Sequence, residues 1–412
     1  MANRRVVVTG LGALTPIGND VASYWDGLKN GRNGIDFITR FDTADLKAKL
    51  AAELKGFDPK QYLEAKTVRQ SDRCQQYALV AAAQAVEDSG ILNKIAPERF
   101  GVYFGTGIGG FETFINEHNT LLNRGPSRVS PFFITKMIAN MSAGMIAIQM
   151  HAQGPCIEVT TACATGTNAI GEALRTIRHG YADAIIAGGV DAVLNPLSMA
   201  GFINCQALSE STDKDAASIP FDKRRHGFIM GEGAGALVLE EYEHAVKRGA
   251  KIYAELVGYG STCDAYHVTA PDSEATASSK AIADCIAEVG KEVPAGEIYL
   301  NAHGTSTPLN DKTETAAIKK AFGTERAYQI HVSSTKSMTG HLLGAAGAIE
   351  AVAAIKALEN NLVPPTINYK EPDPECDLQI TPNTALETPL SLALSTSLGF
   401  GGHNACIAFA KI

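Results

Sequence analysis

One cysteine, two histidines and a lysine stand in sequence settings that suit nucleophilic chemistry. Cys163 lies in Glu158-Val159-Thr160-Thr161-Ala162-Cys163-Ala164-Thr165-Gly166, where an apolar β-like run gives way to small residues and then to a helical pattern. A thiol at such a junction sits near the positive end of the helix, which is expected to lower its pKa and make it a nucleophile. The same junction offers free backbone N–H groups to an oxyanion. His303 follows a β-like run in Asn301-Ala302-His303-Gly304-Thr305-Ser306-Thr307, and Lys336 and His341 lie in Lys336-Ser337-Met338-Thr339-Gly340-His341, between a strand and a helix. Side chains from distant positions converge at strand ends in layered α/β proteins, so these groups form a plausible constellation.

Three chemistries compete for such a set. Zinc is disfavoured, because Cys163, His303 and His341 include no close ligand pair and H-E-x-x-H is absent. A cysteine protease uses one histidine as base and leaves the second histidine and the lysine unexplained. An acyl-transfer enzyme that also stabilises an enolate has work for all of them, since two imidazole N–H donors can hold a thioester oxygen as charge develops. His118, His151, His179, His244 and His331 read as ordinary structural residues.

These side chains need a scaffold, and the chain repeats strand and helix. Expected strands are Val6 to Thr9, Arg99 to Phe104, Cys156 to Thr160 and Ala184 to Gly188, with helices over Arg73 to Ser89 and Thr165 to His179. The second half repeats this with strands at Ile298 to Ala302, Ile330 to Ser334, Leu392 to Ser395 and Ala405 to Phe409, and helices over Asp311 to Phe322 and Gly344 to Leu358. The pattern implies layered α/β architecture in two similar halves, 1–250 with the cysteine and 251–412 with the histidines. An internal echo is expected between Cys163-Ala164-Thr165-Gly166 and Ser337-Met338-Thr339-Gly340.

Composition narrows the class. The 412 residues are 45% hydrophobic and 19% charged with a formal net charge of -8, which describes a well-packed protein and argues against general nucleic-acid binding. No run of 18 apolar residues offers a membrane span, and the early apolar run meets Gly10-Leu11-Gly12 so soon that it reads as a strand rather than a signal peptide. Eight scattered cysteines without a C-x-x-C imply a reduced, cytoplasmic protein. Gly10-Leu11-Gly12 and Gly105-Thr106-Gly107-Ile108-Gly109-Gly110 fail as dinucleotide fingerprints, the latter with no strong helix expected after it, so both are expected to serve close backbone approach. Lys66, Arg69 and Arg73 are spaced to share a helical face, and Arg124 and Arg128 fall in a loop-like stretch.

Four separated motifs in order carry a family resemblance: Val159 to Gly166, Asn301 to Thr307, Lys336 to His341, and Gly399-Phe400-Gly401-Gly402-His403-Asn404. With them, nearly the whole chain resembles the β-ketoacyl-[acyl carrier protein] synthases of the thiolase superfamily, most closely the type II elongating enzymes of dissociated fatty-acid synthesis. The resemblance implies a five-layered α/β/α/β/α fold. It implies that Cys163 accepts an acyl chain, that His303 and His341 bind a malonyl thioester and promote loss of carbon dioxide, and that Lys336, with Glu350 as ionic partner, supports the site. It further implies an oxyanion hole from the N–H groups of Cys163 and Phe400, with the Phe400 ring as a gate. Thr269, Thr305 and Thr307 are similar to residues that hold a phosphopantetheine arm, and Ile108, Phe133 and Phe202 are candidates for the acyl pocket. The implied partner is an acyl carrier protein bringing acyl and malonyl groups on its phosphopantetheine, with no prosthetic group or metal on the enzyme itself, and the implied assembly is a homodimer. Related readings are a type I or polyketide-type ketosynthase, a noncatalytic chain-length partner, which Cys163 argues against, and a thiolase-like enzyme, which lacks an obvious second cysteine. His403, where threonine is frequent, and His226, where an acidic residue is frequent, depart from the family pattern.

Overall fold

Strands rich in Val, Ile, Leu, Ala and Gly, apolar on both faces, require cover on both sides. The computed structural model describes residues 4–412, so residues 1–3, the head of the expected first half, lie outside the described residues. The first five major strands are β1 (Val6–Leu14), β2 (Phe100–Thr106), β3 (Cys156–Ile157), β4 (Ala184–Asp191) and β5 (Gly233–Glu241). The next five are β6 (Ala254–Cys263), β7 (Ile298–Asn301), β8 (His331–Ser333), β9 (Leu392–Gly399) and β10 (His403–Ala410). They form one 10-stranded sheet in the order β8-β7-β9-β10-β6-β1-β5-β4-β2-β3.

The order exposes a duplication. At the β6-β1 junction the pairing is confined to Val7 with Glu255 and Val8 with Ala254, and on either side of it the strands run in the same sequence, 3-2-4-5-1 and 8-7-9-10-6. Directions match too: β2 is parallel to β3 and β4, as β7 is to β8 and β9, while β5 and β10 run antiparallel to both neighbours.

The helices that position the site are α1 (Arg73–Ser89), α2 (Phe111–Arg124), α3 (Met141–Met150), α4 (Thr165–Arg178) and α5 (Pro196–Asn204). They are followed by α6 (Thr276–Val289), α7 (Pro308–Phe322), α8 (Lys336–Thr339) and α9 (Ala346–Asn360). Strand side chains alternate between faces: Ile185 and Ala187 of β4 join a core with α4 and α9, while Ala184 and Ile186 join another with α1 and α3. In the second half, Ala405, Ile407 and Phe409 of β10 share the α4 and α9 core, and Cys406 and Ala408 face α6 and α7. The result is the expected five layers, α/β/α/β/α, with α4 and α9 as the middle layer. Ile170, Leu174 and Ile177 of α4 are fully buried there, each contributing about 1.5–3 kcal/mol. No helix among the described residues is long and apolar enough to cross a membrane.

Several local expectations are corrected. The strand expected over Cys156 to Thr160 pairs only at Cys156 and Ile157; the chain then leaves the ladder, with Thr160 Oγ1 donating to Thr106 O at 2.9 Å. A 14-residue helix, α2, does follow Gly105 to Gly110. Lys66 and Arg69 share a short helix that ends before Ser71, which is extended, so Arg73 at the start of α1 shares no helical face with them. The internal echo also has another register. Cys163 sits in a 3₁₀ turn, Ala162–Ala164, ahead of α4, and its counterpart is Gly344 in the turn Leu343–Ala345 ahead of α9, not Ser337. Ala162 and Leu343 share the same left-handed φ of 49°. The helices cross where both carry glycine: a Cβ on Gly166 would lie 2.7 Å from Ala348 N, and one on Gly347 2.7 Å from Thr167 N.

Candidate active site

Cys163 is placed by a sharp turn. The left-handed φ at Ala162 is unusual for a residue with a side chain and is held by Ala164 N donating to Thr161 O at 3.0 Å and Thr161 N donating to Thr165 Oγ1 at 2.9 Å. The thiol therefore precedes the N-terminus of α4, as its sequence setting implied. Its electrostatics differ from that expectation. Burial pushes the thiol up to about 12, and Lys336 and the Phe400 N–H pull the other way without cancelling it. Gly399 packs so closely that its Cβ would lie 3.2 Å from Cys163 N.

His303 stands just beyond β7, and both it and the next residue are pinned through the backbone. His303 N donates to Glu314 Oε1 at 2.7 Å, Gly304 N to Glu314 Oε2 at 2.8 Å, and Thr396 Oγ1 to Glu314 Oε1 at 2.7 Å. His341 is held by its N donating to Ile229 O at 2.7 Å and its O accepting from Gly231 N at 2.8 Å. Both imidazoles are 2% exposed, their centroids are 5.2 Å apart, and their planes meet at 87°. Burial holds each well below the usual histidine range, with the Lys336 charge acting in the same direction, so both rings are neutral.

Lys336 lies behind His303. Its Nζ is 3.4 Å from His303 Nδ1 and is ion-paired with Glu350, with both partners 1% exposed. An ammonium has protons to give and no lone pair, so Nδ1 accepts and the ring proton sits on Nε2. Burial pushes Glu350 up to about 7 against the pull of Lys336. The pair is neither at the surface nor in the cavity wall.

Cys163, His303, His341 and Phe400 line one cavity of about 300 Å³. Thr269, Thr305, Thr307 and Phe202 line it as well, the Thr305 and Thr307 hydroxyls hydrogen-bonding at 2.9 Å. Phe202 lies 6.4 Å, centroid to centroid, from Phe400 and 5.6 Å from Phe228, which stacks edge-on against His341. Ile108 and Phe133 are not in this wall: Ile108 is 41% exposed and Phe133 opens a separate short helix. His403 opens β10 beside Phe400, paired with Gly399 and Cys263, and His226 Nε2 lies 2.9 Å from Ser209 Oγ.

Sequence reasoning missed Glu314 and Phe228. Glu314 is 1% exposed on α7 and grips the His303 backbone, yet an acidic residue in a helical stretch carries no mark of that role. Phe228 comes from the segment between α5 and β5 and reaches His341 only through the fold. Chemically, the site offers a thiol, two neutral imidazoles at right angles and a largely apolar cavity that carries the Thr269, Thr305 and Thr307 hydroxyls. Such a set can receive an acyl group and stabilise an enolate in one enclosure.

Comparison with known proteins agrees with that chemistry. Family models for the β-ketoacyl synthase N-terminal and C-terminal domains match residues 3–245 and 253–370. A 3-oxoacyl-[acyl-carrier-protein] synthase 2 from Synechocystis sp. is 52% identical over 416 residues, covering 100% of both chains. One of the same name from Staphylococcus aureus is 51% identical over 410 residues, covering 99% of each. Among solved structures, the ishigamide ketosynthase/chain length factor superposes with a TM-score of 0.93 at 37% identity over 100% of both chains. A type II polyketide synthase acyl carrier protein in complex with its ketosynthase gives 0.90 at 35% identity, again over 100% of both chains. The chain belongs to the β-ketoacyl synthase family.

Proposed function

We propose that this enzyme elongates fatty acyl chains by decarboxylative Claisen condensation, with Cys163, His303 and His341 in the reacting roles. In the first stage the Cys163 sulfur attacks the thioester carbonyl of an acyl carrier protein; its proton passes to the departing pantetheine thiolate, and the acyl group remains on sulfur. The N–H groups of Cys163 and Phe400 receive the oxyanion. In the second stage a malonyl thioester places its carbonyl oxygen between the two imidazole Nε2–H donors. The C–C bond to the carboxylate breaks, carbon dioxide leaves, and the electron pair becomes an enolate held by those donors. The carbanion attacks the acyl carbon, the C–S bond to Cys163 breaks, and a 3-oxoacyl carrier-protein thioester leaves while the thiolate regains a proton.

The observation that carries this reading is the pair of buried neutral rings 5.2 Å apart in the cavity of Cys163, with Lys336 setting the tautomer of one. The carrier protein is the proposed partner, bringing its phosphopantetheine arm to Thr269, Thr305 and Thr307; the relative in complex with an acyl carrier protein supports this. No prosthetic group is needed. The assembly is a homodimer formed at the β3 edge, where an unpaired strand edge and the exposed Ile157 and Ile148, 46% and 73% accessible, call for cover. Eight free cysteines support a reducing, cytoplasmic setting.

The test is condensation with purified acyl and malonyl carrier proteins across chain lengths, including one cis-unsaturated primer. Formation of 3-oxoacyl products with matching release of carbon dioxide is expected. Hydrolysis or exchange alone, without a new C–C bond, would reject the assignment.

A further inference from the structure

Among the polar groups of the cavity wall that the proposed chemistry has not used, one is buried without a hydrogen-bond partner. Ser278 lies in the first turn of α6 and lines the cavity with Thr269, Asp264 and Asn404. It is 4% exposed, and its Oγ has no hydrogen-bond partner. Its neighbours already have partners within the protein: Asp264 accepts from Asn404 Nδ2 at 2.7 Å and from Asp272 N at 3.2 Å, and Thr305 and Thr307 share one hydrogen bond. A buried hydroxyl without a partner costs folding free energy, so its position calls for a partner that arrives from outside. The turn that carries it is fixed, with Thr262 Oγ1 donating to Ala277 O at 2.6 Å.

We infer that Ser278 is a substrate-positioning residue whose hydroxyl hydrogen-bonds a polar group of the pantetheine arm, an amide or hydroxyl, as the arm enters the cavity. The inference rests on the proposed condensing function. The arm is a chain of amides flanked by apolar carbons, and the wall here matches it, with Thr269 and Ser278 as polar points and Ala270, Pro271 and Leu309 as apolar ones. A serine hydroxyl both donates and accepts, so it serves either end of an amide.

The test compares wild type with Ser278→Ala, using acyl-pantetheine to load Cys163 and iodoacetamide as an armless probe of the same thiol. One neutral hydrogen bond corresponds to a rise in KM for acyl-pantetheine of about three- to tenfold. The expected pattern is that rise, with kcat within about twofold, iodoacetamide reactivity unchanged and a thermal midpoint that is unchanged or higher, because the variant removes an unpartnered polar atom. An unchanged KM overturns the inference while leaving the function intact. A lower midpoint with parallel loss of iodoacetamide reactivity overturns it too, showing a structural role instead. Failure of acyl-pantetheine to load wild-type Cys163 overturns both this inference and the functional reading.

Discussion

Replacing Lys336 with methionine separates two things the ammonium does. Lys336 and Glu350 are each 1% exposed, and Glu350 Oε2 has no other partner, so removing the cation strands a carboxylate in a dry interior. Breaking a buried pair from one side costs about 3–5 kcal/mol. The carboxyl can escape by taking a proton. Its folded-state pKa, already about 7, moves further up without Lys336, so the native state holds the proton more tightly than the unfolded chain does. The Lys336→Met defect is therefore smallest in acid and deepens as pH rises above about 7. In a Lys336→Met, Glu350→Leu double variant the stranded charge is gone, and stability returns to within about 1 kcal/mol of wild type. Activity does not return, because His303 Nδ1 has lost the donor 3.4 Å away and Nε2 is no longer assured of its proton. Loss of one preorganised donor to a developing oxyanion is worth about 10²-fold, which is the expected fall in malonyl decarboxylation for both variants. Urea unfolding from acid to alkaline pH gives the stability arm, and carbon dioxide release from malonyl carrier protein gives the catalytic arm. Normal decarboxylation by the stable double variant would refute the tautomer argument, and a pH-independent single-variant defect would refute the account of Glu350.

Two further predictions concern titration. His303 and His341 are held well below 6.5 when folded but titrate near it when unfolded, so their contribution to stability is present above about pH 6.5 and lost as pH falls through it. Between about pH 6.5 and 5.5 each loses about 1 kcal/mol, so a His303→Asn, His341→Asn variant has a stability profile shallower by about 2 kcal/mol; urea midpoints at both pH values check this, and parallel profiles would contradict it. For Cys163, a thiol pushed up to about 12 means iodoacetamide alkylation accelerates about tenfold per pH unit from about pH 7 to 9. A plateau below pH 8 would mean that the α4 N-terminus and Lys336 outweigh burial after all.

The legible part of the site was the part written in rare residue types at marked positions. Cys163 stands between a β-like run and a helical pattern, His303 follows a β-like run and precedes Gly304, and His341 follows Gly340 between a strand and a helix, and those local signs survive into the fold. Layered α/β architecture was legible from the alternating elements, and the five layers from the family resemblance that the four motifs carry. What escaped was of two kinds. Glu314 and Phe228 act through contacts that only the fold creates, and their residue types are common in helices and loops. The strand Gly233–Glu241 begins in small residues that carry no strand pattern and fit under α9, a Cβ on Gly235 lying 2.7 Å from Ala348 C. The echo was misregistered because Ser337-Met338-Thr339-Gly340 looks like the nucleophile turn in composition, whereas the matching turn is defined by backbone, a left-handed Leu343 before Gly344. The expected lowering of the thiol pKa is overturned, because sequence does not reveal the desolvation of the sulfur in the fold.

The proposed chemistry depends most on Cys163 as the residue that carries the growing chain. Incubating the enzyme with an acyl carrier-protein thioester, without malonyl donor, followed by peptide mass spectrometry, reads this directly. A mass increase equal to the acyl group on the peptide containing Cys163, absent from Cys163→Ala and discharged when malonyl carrier protein is added, is the predicted result. An acyl adduct on another residue, or full condensation by Cys163→Ala, would contradict it.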